Sequence, residues 1–565
     1  MTCSPAKIKL CLLAALLLST KLNAQSQYAY RISFTDKNKG TADIHVPATF
    51  LSAKALNRRS LQHLSVDSTD LPVAQTYIDS VLKLTSGKFH VKSNWLNQCV
   101  ILVNDTTTIH HVRNTSFVKN VTYVAGFSSP LHMVAKTFDE PLFGTSATGK
   151  RSLLKTTGGI GYYGDAYDQI YLANGQYLHD KGYRGAGKTI AVLDAGFNTT
   201  NTLAGYDSLR LTGRIVDTYN FKLDTSDVYG YSDHGTEVLS TMAGIITGQY
   251  VGTAPDASYA LYVTEDVLSE QPYEMDNLVA AMERADSIGV DVISISLGYN
   301  TFDGGIGDLS YADIDGKSTV AAKGANAATS KGILVVSSAG NEGGDSWDKI
   351  LTPGDADSAL TIGSVDMSKT HVSSSGNGPN AAGQIKPDVS MLGAPSMVFN
   401  SGGTISAIGG TSLATPELAG LAACLWGAKP MATPYELRDA IRKSADHAAS
   451  PDNHIGYGVP DFGVATQSLS YLDPPILVSG IPTVYPNPFF DKIALNIYAL
   501  SSAQMDWNIT DLQGKSVLSG KVGLLNGMNN LFEISIPGQF PSGMYFLHIV
   551  TPEYNNSWKL VHQRN

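Results

Sequence analysis

Four residues of this 565-residue chain have types and settings that suit chemistry: Asp194, His234, Asn341 and Ser412. Ser412 lies in Gly410-Thr411-Ser412-Leu413-Ala414-Thr415-Pro416, ahead of the run Leu413 to Trp426, which is apolar on nearly every face. A helix of that composition is buried. The partial positive charge at its amino terminus favours an oxyanion beside the serine, and Pro416 is expected in about the first turn, where N–H groups lack intrahelical acceptors. Asp194 closes Thr189–Leu193, a short β-branched run bounded by Gly187 and Gly196 that reads as a buried strand. Open α/β sheets place ligands at the carboxyl ends of their strands. His234 precedes the helix-like stretch Glu237–Ile245 and can project its ring from a helix start. A carboxylate at the strand end can accept a hydrogen bond from the imidazole Nδ1–H, fix the tautomer and stabilise the imidazolium. Asn341 follows the strand-like run Ile333–Ser338 through Ala339-Gly340, and its side-chain amide is a donor suited to a tetrahedral oxyanion. Together these groups suit attack by an activated hydroxyl.

The motifs resemble those of subtilisin-like serine proteases. They are G-T-S-x-A-x-P around Ser412, Ala191-Val192-Leu193-Asp194-Ala195-Gly196, His234-Gly235-Thr236-Glu237-Val238 and Ser338-Ala339-Gly340-Asn341. The chain order Asp…His…Ser is the one that family uses. The resemblance implies a secreted endopeptidase that hydrolyses protein and peptide substrates through an acyl-enzyme. Asp194, His234 and Ser412 would form the triad, and Asn341 with the Ser412 backbone N–H would form the oxyanion hole. Val292–Gly298 resembles the strand that pairs with extended substrate. Ser296, Leu297 and Gly298 would be one wall of the primary specificity pocket, and Ser338, Ala339 and Gly340 the other. Their small residues and lack of acidic groups imply broad cleavage, with large apolar or aromatic side chains favoured. One position departs from the family: Ala195 stands where Ser or Thr is usual, so one hydrogen bond to the Asp194 carboxylate is expected to be missing. The alternative reading is a catalytically inactive subtilase-fold surface adhesin. Four intact catalytic positions argue against it, because a binding role places no demand on them.

Elements to hold these residues are legible. From about 150 to 475, strand patterns at Thr189–Asp194, Ser258–Val263, Val290–Leu297, Ile333–Ser338 and Ala359–Val365 alternate with helical ones such as Met275–Ile288. That alternation predicts an α/β fold, a mostly parallel sheet flanked by helices as in subtilisins. Residues 25–145 carry strands at Tyr28–Phe34, Val100–Val103 and Val121–Phe127 and helical spacing at Leu51–Arg59 and Val73–Leu84. This small α+β unit stands where the family keeps an inhibitory propeptide, and a basic, exposed linker ending Lys150-Arg151 follows it. Residues 477–565 change to short strands with turn signals, a small β-sandwich. Val484-Tyr485-Pro486-Asn487-Pro488-Phe489, Asp511–Lys515 and Gly543–Leu547 resemble the type IX secretion sorting domain of Bacteroidota. The partners implied are protein substrates, the chain's own propeptide and the type IX machinery.

The remaining signals set the context. Lys7 and Lys9 precede the apolar run Leu10 to Leu18, too short to span a bilayer. Residues 1–24 therefore read as a signal peptide, and no other segment approaches a transmembrane span. A net charge of −10 argues against nucleic acid as a partner. Cys3 and Cys11 leave with the leader, so Cys99 and Cys424 remain, expected as buried free thiols. Gly182–Thr189 satisfies the phosphate-loop expression, but it precedes a strand and no helix follows, so nucleotide binding is not expected. No cofactor is required for the chemistry implied. Asp303, Asp308, Asp313 and Asp315 surround a Gly-rich loop that could hold a structural Ca²⁺, without EF-hand spacing.

Overall fold

The computed structural model describes residues 27–127, 160–470 and, towards the carboxyl terminus, 483–485, 487–499, 503–524, 527–537, 540–551 and 554–563. The leader, the Lys150-Arg151 linker and the Asp473-Pro474-Pro475 boundary lie outside these residues.

The centre is a seven-stranded sheet. Its order is Val389–Leu392, Leu360–Val365, Leu334–Ser338, Val292–Ile295, Thr189–Asp194, Ser258–Val263 and Ile215–Asn220. All neighbouring pairs are parallel. Strands buried on both faces read as continuous apolar runs, and the five expected strands are of that kind. The two strands the sequence did not announce are the outermost ones. Ile215–Asn220 carries polar, half-exposed residues, and Val389–Leu392 is only four residues long.

Alternate residues of each strand feed two cores. Ile190 and Val192 share one apolar cluster with the helices His234–Ala243 and Thr411–Ala428. Ala191 and Leu193 share the other with the helices Glu274–Ile288 and Val320–Ser330. The chain enters the sheet at Thr189–Asp194, runs out to one edge and returns. It then crosses to the other side of that first strand. The winding reverses between Thr189–Asp194 and Val292–Ile295, where a crevice opens at the strands' carboxyl ends. Asp194 stands at that end.

The amino-terminal unit is a four-stranded antiparallel sheet in the order Lys88–Ser93, Gln98–Val103, Gln27–Phe34, Val118–Phe127. Ala53–Leu61 and Gln75–Thr85 are its longer helices. One face of the sheet contributes Ala29, Val91, Val100 and Val124 to the same cluster as helix Glu274–Ile288. That helix also binds the unit through its polar residues. Asp276 accepts from Arg31 Nε at 2.7 Å and Gln98 Nε2 at 2.8 Å. Glu283 accepts from Ser93 Oγ at 2.5 Å, Asn94 N at 2.7 Å and Trp95 N at 3.0 Å. Asp286 pairs with Arg58 and, at 2.5 Å, with Arg59, whose guanidinium also holds Asp70 through two 2.9 Å bonds.

Towards the carboxyl terminus, a three-stranded and a four-stranded antiparallel sheet share one core that includes Phe489, Ile493, Met505, Leu547 and Leu560. Cys99 and Cys424 are free and fully buried, and burial pushes the Cys99 thiol up to about 12. Lys188, the lysine of the phosphate-loop look-alike, lies over the Trp426 ring at 4.8 Å and pairs with Asp291 at 3.5 Å. No helix among the described residues is long and apolar enough to cross a membrane.

Candidate active site

Asp194 and His234 meet at the sheet's carboxyl edge. His234 is the first residue of helix His234–Ala243, and its Nδ1 lies 2.8 Å from Asp194 Oδ1. Both are buried, Asp194 completely. The approach requires glycine at 235, where a Cβ would stand 2.3 Å from Gly196 O and 3.0 Å from the Asp194 side chain. Asp194 Oδ1 also accepts the Ala195 N–H at 2.7 Å, whereas Oδ2 is buried and finds no partner among the described residues. That orphan oxygen fits the missing hydroxyl at Ala195.

Ser412 is the second residue of helix Thr411–Ala428, which packs against the His234 helix. This helix corrects one expectation. Pro416 is its sixth residue, in the second turn rather than the first. A proline there removes the N–H that would have bonded the carbonyl four residues back. The Ser412 carbonyl instead accepts from Ser296 Oγ at 2.7 Å. Ser296, expected only as a pocket wall, thus ties the end of strand Val292–Ile295 to the main chain of Ser412.

Asn341 is held by its carboxamide oxygen, which accepts from Thr411 N and Thr411 Oγ1, each at 2.9 Å. With the oxygen so occupied, the amide that remains is a donor, Nδ2. The same helix start therefore carries Ser412 and orients Asn341.

The two segments expected as pocket walls lie side by side: Ser338 Oγ donates to Leu297 O at 3.4 Å, and Ser296, Leu297, Ser338 and Ala339 are buried. Two details were not legible. A Cβ on Gly298 would lie 2.7 Å from Leu351, and one on Gly340, at φ +97°, would lie 2.7 Å from Leu351 and 2.4 Å from Glu342 Oε2. The glycines thus make room for Leu351, and the Glu342 carboxylate reaches a wall that the sequence showed as uncharged. Asp345 is exposed, and Asp348 accepts from Gly344 N and Asn377 Nδ2.

The four aspartates singled out for Ca²⁺ do not converge. Asp303 accepts from Glu270 N, Asp308 from Phe302 N, Asp313 from Ser310, and Asp315 from Lys317 and Ser318. Asp308, Asp313 and Asp315 brace their own loops, and Asp303 ties its loop to the one at Glu270. Among the described residues the one group spaced to hold a cation is Glu265, Glu270 and Glu274, with ligand atoms within 4.8 Å of one another. Its spacing of five and four residues gave no motif. Both Glu274 oxygens accept backbone N–H groups, from Asp266 and Gln271 at 2.6 Å, and Glu265 accepts from Tyr299 at 2.6 Å, so these carboxylates already serve as loop braces.

Comparison with known proteins agrees with this architecture. The subtilase family profile matches residues 185–458, a Bacteroidota peptidase S8 propeptide domain matches 29–137, and a secretion system C-terminal sorting domain matches 483–563. Subtilisin E of Bacillus subtilis (strain 168) is 30% identical over 293 residues, covering 51% of this chain and 68% of that protein. Subtilisin of Bacillus pumilus is 30% identical over 292 residues, 51% of this chain and 94% of the relative. Among solved structures, the MycP3 protease from the type VII (ESX-3) secretion system aligns with a TM-score of 0.44 at 21% identity, covering 56% of this chain and 90% of that one. The chain belongs to the subtilase family. It is an enzyme of the serine protease class that carries a peptidase S8 propeptide domain and a C-terminal secretion sorting domain.

Proposed function

We propose that the chain is a secreted endopeptidase that cleaves proteins and peptides through an acyl-enzyme. His234 takes the Ser412 proton, Asp194 orients and stabilises the imidazolium, and Asn341 with the Ser412 N–H holds the oxyanion. The observation that carries this reading is the 2.8 Å His234–Asp194 hydrogen bond at the sheet's carboxyl edge, against a helix whose second residue is Ser412. Labelling by a fluorophosphonate tests it, since an inactive adhesin of the same fold would not react. The chemistry needs no cofactor. Broad cleavage after large apolar or aromatic residues remains our reading of the primary pocket, with Glu342 able to admit a basic side chain as well.

We divide the chain into a signal peptide (1–24), an inhibitory propeptide (25–145), a catalytic domain (150–475) and a type IX sorting domain (477–565) that directs export to the cell surface or beyond. In this reading, helix Glu274–Ile288 is the seat of the propeptide.

Two predictions follow from single groups. Burial pushes the Glu283 carboxyl up to about 7, against the lowering effect of the hydrogen bonds from Ser93, Trp95 and Asn94. In the mature enzyme this carboxyl returns towards the ordinary glutamate value of about 4.3. Docking of the propeptide therefore takes up a proton. Its contribution to affinity is complete below that ordinary value and is lost as pH rises through about 7, by at most about tenfold per pH unit. Dissociation constants measured from pH 5 to pH 9 check this, and a flat profile would refute it.

The orphan Asp194 oxygen supports the second. A buried acceptor left without a partner costs about 1–3 kcal/mol. Ala195→Ser is expected to recover about 1 kcal/mol of it and raise the unfolding midpoint of the inhibited mature enzyme by about 2–4 °C. An unchanged midpoint would show that Oδ2 is already satisfied.

A further inference from the structure

Two histidines that the proposed chemistry leaves unused, a pair rather than a group of three, meet ring to ring. His371 follows strand Leu360–Val365 and bridges back to Val365, and His454 lies in the turn before Ile455. Their ring centres are 5.2 Å apart, with the planes at 59°. Two imidazoles that hold one tetrahedral ion through bonds of about 2.0–2.1 Å bring their ring centres to roughly 5 Å. The main chain fixes this spacing. Gly378 N donates to Asn453 O at 2.8 Å, and Asp452 Oδ1 accepts from His454 N at 2.8 Å and Ile455 N at 2.9 Å.

Hydrogen bonds also settle which ring nitrogen of His454 is available. Asp348 Oδ1 accepts from Gly344 N at 3.0 Å and Asn377 Nδ2 at 2.8 Å, bonds that hold its carboxyl below the usual range. A carboxylate only accepts, so the Asn377 carboxamide turns Nδ2 to Asp348 and Oδ1 to His454 Nδ1, at 2.8 Å. That oxygen also only accepts. His454 Nδ1 therefore carries the proton, and Nε2 keeps its lone pair. A histidine whose second ring nitrogen donates to a carbonyl oxygen is the usual arrangement around a bound metal ion. His371 Nε2 is buried and has no hydrogen-bond partner among the described residues. Burial and the neighbouring His454 lower the His371 pKa, so its ring is neutral in neutral solution. Asp452 and Asp348 lie close enough to favour positive charge at His371, and so at an ion beside it.

We propose that His371 and His454 form a site for a divalent transition-metal ion of the kind imidazole suits, Zn²⁺, Ni²⁺ or Cu²⁺, with water at the remaining positions. The ion would fasten the turn at His454 to the segment 371–377. That segment reaches the Asn341 loop, since Gly376 N donates to Gly340 O and Gly343 N to Ser374 O, each at 2.9 Å. The ion is thus a structural brace next to the loop of Asn341, and it takes no part in the chemistry proposed for Ser412.

The test uses the full Ser412→Ala chain, so binding is read without turnover and the outcome is independent of the peptidase reading. Calorimetric titration with Zn²⁺ alone, then with Ni²⁺ alone, is expected to show binding that weakens about tenfold or more in His454→Ala and in His371→Ala. Asn377→Leu keeps both rings but frees the His454 tautomer, and is expected to weaken binding about tenfold. Paramagnetic resonance of Cu²⁺ at one equivalent should show two ring nitrogens in the parent chain and one in His454→Ala. At about 100 times its dissociation constant, Zn²⁺ should raise the unfolding midpoint by about 3 °C or more, and not in His454→Ala. His454 is exposed on a turn, so its replacement leaves the fold intact, and His454→Ala decides if His371→Ala does not fold. Failure of the parent chain to bind Zn²⁺ or Ni²⁺ overturns the site, as does undiminished affinity in His454→Ala.

Discussion

Ser412→Ala is expected to yield a folded, full-length precursor that neither cleaves peptides nor reacts with a fluorophosphonate. Loss of the nucleophile lowers kcat by about 10⁶-fold in subtilisin, the relative on which that figure rests. The fold should survive for identifiable reasons. Ser296 donates to the main-chain carbonyl of residue 412, which the substitution keeps. Residue 412 stands in the first turn of an apolar, buried helix, and alanine is a strong helix former. Circular dichroism and thermal unfolding like wild type, with activity at background, are the expected pair of results. If the propeptide is removed by the enzyme itself, the variant made alone also keeps residues 25–145 attached. Retained labelling of the folded variant would show that another hydroxyl is the nucleophile. Removal of the propeptide with labelling abolished would assign the processing to a second protease.

What the sequence disclosed and what it hid follow from the range over which each feature is encoded. The five central strands are continuous apolar runs, and Asp194, His234 and Ser412 each stand at the border of such a run, so spacing within one segment was enough. Lys88–Ser93 and Ile215–Asn220 were missed because polar, half-exposed strands carry no such run. The Ser296–Ser412 bond spans 116 positions, and only the exact start of the helix shows that Pro416 frees that carbonyl. The presence of Leu351 between Gly298 and Gly340 is equally non-local, as is the approach of Glu342 to the wall. Ala195 is the instructive middle case. Its missing hydroxyl was legible as a departure from the family, and the orphan Asp194 oxygen is its counterpart in three dimensions.

The ion network beneath the propeptide was illegible for the same reason, since its partners lie 227 and 228 positions apart. It supports the second large prediction. Asp286 is 2% exposed and receives both Arg58 and Arg59. Removing one partner of a buried pair costs about 3–5 kcal/mol, because the other charge stays buried without its counterion. Arg59 would keep Asp70, so the charge stranded by Asp286→Ala is chiefly Arg58, left with the carbonyls of Val290 and Lys331. The processed complex of Asp286→Ala is therefore expected to bind its propeptide about 10²–10³-fold more weakly than wild type. Activity released on dilution measures this. The isolated mature variant should cleave peptides as wild type does, because Asp286 lies on the helix under the propeptide and not among the reacting groups. Salt separates this from a surface effect, since exposed pairs are screened at about 0.15 M ionic strength and buried ones much less. A loss of affinity that is present at low salt and disappears as the ionic strength is raised would show that the network is exposed in solution. Unchanged affinity would show that the apolar contacts of Ala29, Val91, Val100 and Val124 hold the propeptide unaided.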